Sequence, residues 1–150
     1  MKAEVPLTVN DIITKYQAML KEFGLRPNQI RVGAGSAMVM YGLRAETDDI
    51  DADCSPETMR VISEKMGVTP KVVGTEQGYL TNNMELLTMP SFDTDMHGML
   101  TYDERNGTRV RGVFCYTLED LLQQKLQLNR PKDQKDIENI RKAIERTSAK

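Results

Sequence analysis

A short apolar run, Ile30-Arg31-Val32-Gly33-Ala34, enters a glycine-serine pair at Gly35-Ser36, and a dozen or so residues later the chain reads Asp49-Ile50-Asp51-Ala52-Asp53. This combination constrains the fold more than any other feature. The run before the glycine reads as a buried strand, and Ser36 to Tyr41 reads as a helix stopped by Gly42. A strand feeding a helix N-terminus presents free backbone N–H groups and the positive end of the helix dipole, which favour an anion. Gly35 lets the backbone approach a phosphate closely, and the Ser36 hydroxyl can act as helix N-cap or as a further donor. In an extended strand, alternate side chains share a face. Asp49 and Asp51 therefore form one row, with Asp53 a candidate third, while Ile50 and Ala52 point into a core.

Two carboxylates so close repel unless a positive group lies between them. Mg²⁺ is a hard cation that is commonly held by one or two carboxylates together with substrate phosphates. The alternative is a solvated turn in which an aspartate caps the next helix. A calcium loop of the EF-hand kind is excluded, because Cys54 stands where glycine is needed and Arg60 where a bidentate glutamate is needed.

With 150 residues the chain is long enough for one compact domain with a sizeable core. Its formal net charge of −2 advertises no global basic field for nucleic acid. Cys54 and Cys115 lie far apart and form no metal-ligand or redox spacing, as expected of reduced thiols in a cytoplasmic protein. No apolar signal core opens the chain, and no segment has membrane-spanning length.

Helical spacing of Ile12, Ile13, Tyr16, Met19, Leu20 and Phe23 predicts a first helix, capped by Thr8 or Asn10 and ended by Gly24. Ser55-Pro56 opens another that closes at Gly67. Its Met59, Val61, Ile62 and Met66 read as core residues. Strands are predicted at Lys71–Gly74 and in a hairpin, Tyr79–Thr81 with Met84–Met89, turning at Asn82-Asn83. Glu85 shares a side of its strand with Leu87 and Met89. Either a metal or the aspartate pair lies opposite, or Glu85 faces water on an edge strand. Ser91–His97 reads as a loop containing the lone histidine. Met99–Tyr102 and Arg109–Phe114 flank Asn106-Gly107, a strong hairpin signal. Thr117 caps a leucine-rich helix, Pro131 breaks it, and Asp133 starts a last amphipathic helix with Ile137, Ile140 and Ile144. Lys125, Arg130, Lys132 and Lys135 bracket that break. They suit either a triphosphate or a charged helix surface partnered by Asp133 and Asp136.

In order and spacing, four phrases of this chain resemble the nucleotidyltransferase superfamily of polymerase-beta-like folds, in a small prokaryotic branch that includes abortive-infection toxins. They are Gly33–Ala37, Tyr41–Asp51, Met84–Thr88, and Leu118–Leu122 running through Lys125 to Arg130-Pro131-Lys132-Asp133. The resemblance implies an α+β fold, a nucleotidyltransferase-like mixed sheet flanked by helices with a C-terminal helical pair. It implies one domain over 1–150, its core about 30–115 and its C-terminal helices about 117–147.

Carried over by residue, the resemblance implies that Gly35 and Ser36 hold the nucleotide phosphates and that Asp49 and Asp51 bind one or two Mg²⁺ ions. Glu85 stands where a third carboxylate, more often aspartate, belongs. Lys125 and Lys132 help hold the triphosphate or orient the last helices. The implied activity moves a nucleoside monophosphate from a nucleoside triphosphate to an acceptor hydroxyl, on an RNA end, a protein or a small molecule. The implied setting is toxin–antitoxin or phage defence. The alternative is an inactive nucleotide-binding or protein-binding relative acting as a sensor. The chain ends soon after the last helix, so an acceptor site is expected to involve a second subunit or a docking macromolecule. With no tryptophan and few aromatics, it offers no evident base-stacking platform.

Overall fold

The computed structural model describes residues 6–67, 71–73, 76–81, 84–88 and 106–148. Helix α1 (Val9–Phe23) starts after Thr8, whose backbone N–H and hydroxyl donate to the Asp11 carboxylate at 2.9 and 3.0 Å. It ends at Gly24, where φ is 65°, a left-handed conformation that lets the last carbonyls of the helix be satisfied. Ile12, Tyr16, Met19 and Phe23 form its buried stripe. The Tyr16 hydroxyl donates to the Ile30 carbonyl at 2.8 Å, tying this helix to the start of strand β1 (Ile30–Gly33).

Helix α2 (Ala34–Met40) follows directly, two residues earlier than the sequence suggests, with Gly33 as its cap. Ser36 therefore lies in the first turn, not at the cap. Ala34 takes φ 50° at this junction. Strand β2 (Ile50–Cys54) runs antiparallel to β1, and helix α3 (Pro56–Met66) leaves it through Ser55, whose hydroxyl accepts from the Thr58 N–H at 3.1 Å. Gly67 ends α3 in the left-handed region, as the sequence predicts. Met59 and Ile62 are buried, whereas Val61 and Met66 are exposed and are not core residues.

Strands β4 (Glu76–Thr81) and β5 (Met84–Thr88) form the expected antiparallel pair, with Thr81 opposite Met84, and β3 (Lys71–Val73), also expected as a strand, pairs antiparallel with β4. The predicted loop at 91–97 and the strand at 99–102 lie outside the described residues. Arg109–Phe114 is not one strand. It is the hairpin of β6 (Thr108–Val110) and β7 (Val113–Cys115), because Arg111 and Gly112 take φ 53° and 84° and turn the chain between them. Helix α4 (Leu118–Leu128) is capped by Thr117, whose hydroxyl accepts from the Asp120 N–H at 3.1 Å. A 3₁₀ turn at Pro131–Asp133 then leads into helix α5 (Gln134–Ser148), so the last helix begins just after Asp133. Leu128 is half exposed, while Lys125 on the same helix is buried.

The architecture is α+β with a mixed sheet and a C-terminal helical pair. The sheet order is β3-β4-β5-β2-β1-β7-β6, which puts the aspartate strand β2 at the centre. β2 pairs with β5 in parallel, and β1 pairs with β7 in parallel. Alternation gives β1 and β2 two different faces. Ile30, Val32, Ile50, Ala52 and Cys54 join one core with the buried residues of α1, α2 and α3. The other face carries Arg31, Gly33, Asp51 and Asp53. Burial pushes the Cys115 thiol up to about 12 and the Cys54 thiol well above its usual value, so neither is a nucleophile near neutral pH.

Neighbouring residues at the β1–α2 junction carry opposite expectations. A Cβ on Gly33 would lie 2.7 Å from the Tyr116 ring, so Gly33→Ala should lower stability by about 1–3 kcal/mol. Ala34 occupies a conformation that costs a side-chain-bearing residue roughly 1–2 kcal/mol, part of which glycine would recover against its own entropy. Ala34→Gly should stabilise by about 1 kcal/mol. Urea denaturation at a fixed slope reads both changes.

Candidate active site

Ser36 joins the two halves of the site. Its side chain is fully buried, and its hydroxyl donates to the Gly33 carbonyl at 2.7 Å and accepts from the Asp51 N–H at 3.1 Å. That bond fixes the start of α2 against the middle of β2. The hydroxyl faces backbone, so its visible work is to hold Asp51 beside the turn. Across the sheet, Gly33 is the register partner of Asp51, and Asp51 is the register partner of Glu85. Adjacent strands run about 4.8 Å apart, so three chemically distinct segments form one row.

Two register positions along β2, on the same face, Asp53 is paired internally. It accepts two bonds from Arg31, at 3.0 Å each, and one from the Tyr116 hydroxyl, and it is almost completely buried. The Arg31 guanidinium lies 4.0 Å from the centroid of the Tyr116 ring and donates to the Asn106 carbonyl at 2.8 Å. Charge neutralisation, cation–π contact and a two-pronged carboxylate bond thus meet at one point. Burial together with the neighbouring Asp53 charge pushes the Tyr116 hydroxyl above its usual value, so it stays a proton donor. Of the three residues, only Asp53 stood out in the sequence. The signal that could have found Arg31 is a charge inside an otherwise apolar strand, which needs a partner.

A cavity of about 610 Å³ opens where the β1–α2 turn, the approach to β2 and the α4–α5 junction meet. Gly35, Asp49, Asp51, Lys125 and Lys132 all line it, so five of the residues singled out by sequence converge. Ser36 sits behind the wall, and the side chain of Glu85 lies outside the described residues. Arg44, Glu46, Asp48, Arg130, Asp133 and Asp136 line the same cavity.

The basic cluster is organised by carboxylates. Lys125, 6 % exposed, places its ammonium 3.4 Å from Asp133 and 3.2 Å from Asp136. Arg130 donates to Asp133 through side chain and backbone, the closest contact being 2.7 Å. Its guanidinium holds the Asp133 carboxyl well below the usual carboxylate range. Lys125 is therefore a buried strut between α4 and α5 whose charge is already matched. Lys132 is exposed at the rim.

Six carboxylates (Glu46, Asp48, Asp49, Asp51, Asp133, Asp136) face four cations (Arg44, Lys125, Arg130, Lys132) around this space. A polyphosphate entering alone would meet excess negative charge. Asp49 and Asp51 supply oxygen donors at its wall, each half-buried, which suits a hard divalent cation. Among the described residues no group of three or more His, Cys, Asp or Glu side chains is placed to hold a metal ion. A two-carboxylate donor set matches an ion that keeps water and substrate oxygens as its other ligands.

The turn, the aspartate pair and the lysine-bearing helix junction thus occupy one cavity on a mixed sheet. The chain belongs to the family described as Nucleotidyltransferase of unknown function (DUF6036), whose model matches residues 9–147. That match covers every lining residue of the cavity except Pro6. No curated protein and no solved structure matches the chain. Among the described residues no helix is long and apolar enough to cross a membrane.

Two measurements test the supports of this site. Arg31→Met leaves Asp53 buried without its cation and should cost about 3–5 kcal/mol in chemical denaturation. Asp133 has a depressed folded pKa, so its contribution to stability is present above the unfolded value of about 4 and is lost as pH falls through the folded one. Asp133→Asn should therefore lower Tm at pH 7, and the gap to the native protein should shrink steadily as the pH is lowered below about 4.

Proposed function

We propose that the protein is a Mg²⁺-dependent nucleotidyltransferase that moves a nucleoside monophosphate from a nucleoside triphosphate to an acceptor hydroxyl. The observation that carries this reading is the meeting of Gly35, Asp49 and Asp51 with Lys125 and Lys132 in one cavity. The family's own description supports the reaction class.

In this reading, Asp49 and Asp51 hold the magnesium ion or ions from the β2 side. Bound Mg²⁺ supplies charge neutralisation to the phosphate oxygens and to the entering and leaving oxygens. Gly35 gives the triphosphate close access to the backbone of the turn. Lys132 meets the tail from the rim, and Lys125 keeps the α4–α5 junction in place by its contacts with Asp133 and Asp136. The acceptor oxygen attacks the α-phosphorus, the bond from that phosphorus to the bridging oxygen breaks, and pyrophosphate leaves. Glu85, at the register position beside Asp51, is the third carboxylate and the candidate to take the acceptor's proton. Positioning and charge neutralisation account for the catalysis, since the protein forms no covalent bond to the nucleotide.

The test is transfer of label from each of the four α-labelled ribonucleoside triphosphates, with Mg²⁺ and either total RNA or cell extract. The native protein should label one acceptor class with a preferred base. The Asp49→Asn/Asp51→Asn double variant, folded by circular dichroism, should transfer on the order of a thousandfold more slowly. Equal transfer by the two proteins would refute the assignment of the aspartates, and no transfer by either would refute the activity.

A further inference from the structure

The cavity contains a cation that the sequence reading passed over. Arg44 lies in the segment between α2 and β2, and its Nη2 donates to Asp136 on α5 at 2.9 Å. Its Nη1 comes so close to Gly35 that a Cβ built there would sit 2.5 Å from it. Gly35 thus leaves room for a guanidinium beside the turn, in the same cavity as Asp49 and Asp51. The segment that carries Arg44 is anchored, because Thr47 exchanges backbone bonds with Leu7 at 2.7 and 3.0 Å.

Lys132 is exposed at the rim, whereas the other two cations of the cavity are more fully engaged than Arg44. Lys125 is buried between two carboxylates, and Arg130 is engaged by Asp133 through Nε and Nη2. Arg44 is 38 % exposed at its side chain and, among the described residues, bonds through Nη2 to Asp136 alone. Nε and Nη1 remain as donors in the fork geometry that matches phosphate oxygens. Asp136 meanwhile contacts Arg44 and Lys125 through the same oxygen, Oδ2. If Arg44 turns to a ligand, Asp136 keeps a partner, so the exchange strands no buried charge. A partly exposed ion pair is also weak enough to be displaced by a more highly charged anion.

We propose that Arg44 is the guanidinium that takes the polyphosphate tail of the nucleotide, and that Asp136 holds its place until the nucleotide arrives. This rests on the nucleotidyltransferase reading of the same cavity and adds to it a residue and an exchange. It also gives Gly35 a second task, since any side chain there would push Arg44 away from the turn.

The experiment is calorimetric titration of the folded protein with the Mg²⁺ complexes of the four ribonucleoside triphosphates and of inorganic tripolyphosphate. Arg44→Gln should weaken tripolyphosphate and the preferred nucleotide by the same factor, about tenfold to a hundredfold, because the lost contact is to the tail. Asp136→Asn should tighten both, because a competing carboxylate is gone. Native-like affinity in Arg44→Gln overturns the proposal. So does an equal loss in Arg44→Gln and Asp136→Asn, which would make the pair a structural strut. In either case Mg²⁺-dependent binding that is lost in Asp49→Asn/Asp51→Asn would leave the nucleotidyltransferase reading standing. Failure of the native protein to bind any of the five probes overturns both.

Discussion

The contact of Arg31 with Asp53, closed by the Tyr116 hydroxyl, governs the rest of this structure, because it allows a sheet with one charged face to bury its centre. β1, β2 and the residue after β7 each contribute one member, so the network locks three strands side by side at the level of the site. An unpaired Asp53 at that depth would carry a desolvation penalty of several kcal/mol. With its partners present, β2 can carry Asp51 and Asp53 on one face, of which Asp51 reaches the cavity together with Asp49, the residue before the strand, and Asp53 is consumed in support.

The packing around that network explains why the β1–α2 junction is so tightly specified. Gly33 has no side chain because the Tyr116 ring fills the space, Ala34 accepts a left-handed φ, and Ser36 closes the turn onto the backbone of Asp51. Gly35 in turn leaves room for Arg44. Gly33, Gly35 and Ser36 are each set by a different contact and Ala34 by its backbone conformation, and together they place a backbone turn beside two carboxylates. Strain at Ala34 persists because its neighbours over-determine the conformation.

The C-terminal pair shows a second use of internal charge. Asp133 and Asp136 arrange Lys125, Arg130 and Arg44 into a fixed wall, so the basic cluster is held in shape before any ligand arrives. That pre-arrangement costs net attraction for anions, since matched cations draw a phosphate less strongly than bare ones. The lining holds more carboxylates than cations, which is the charge balance the proposed binding of nucleotide as its divalent-metal complex calls for.

Much of this was legible because it rests on local rules. The capped helices after Thr8, Ser55 and Thr117, the glycine stops at Gly24 and Gly67, the antiparallel pairing of β4 with β5 and the burial of Ile50 and Ala52 all follow from propensity, capping and alternation. The turn at Arg111-Gly112 was hidden, because a non-glycine residue at positive φ carries no local signal and Asn106-Gly107 carried a stronger one. The sequence by itself determined the α+β order of elements and singled out Asp49 and Asp51, which line one cavity although Asp49 lies just before β2 and not within it. Only the tertiary structure decided that Asp53 is spent on Arg31, that Lys125 is buried, and that Arg44 reaches Gly35. Those outcomes depend on which charges meet across strands and helices far apart in the chain, and a charge states its need for a partner without naming it.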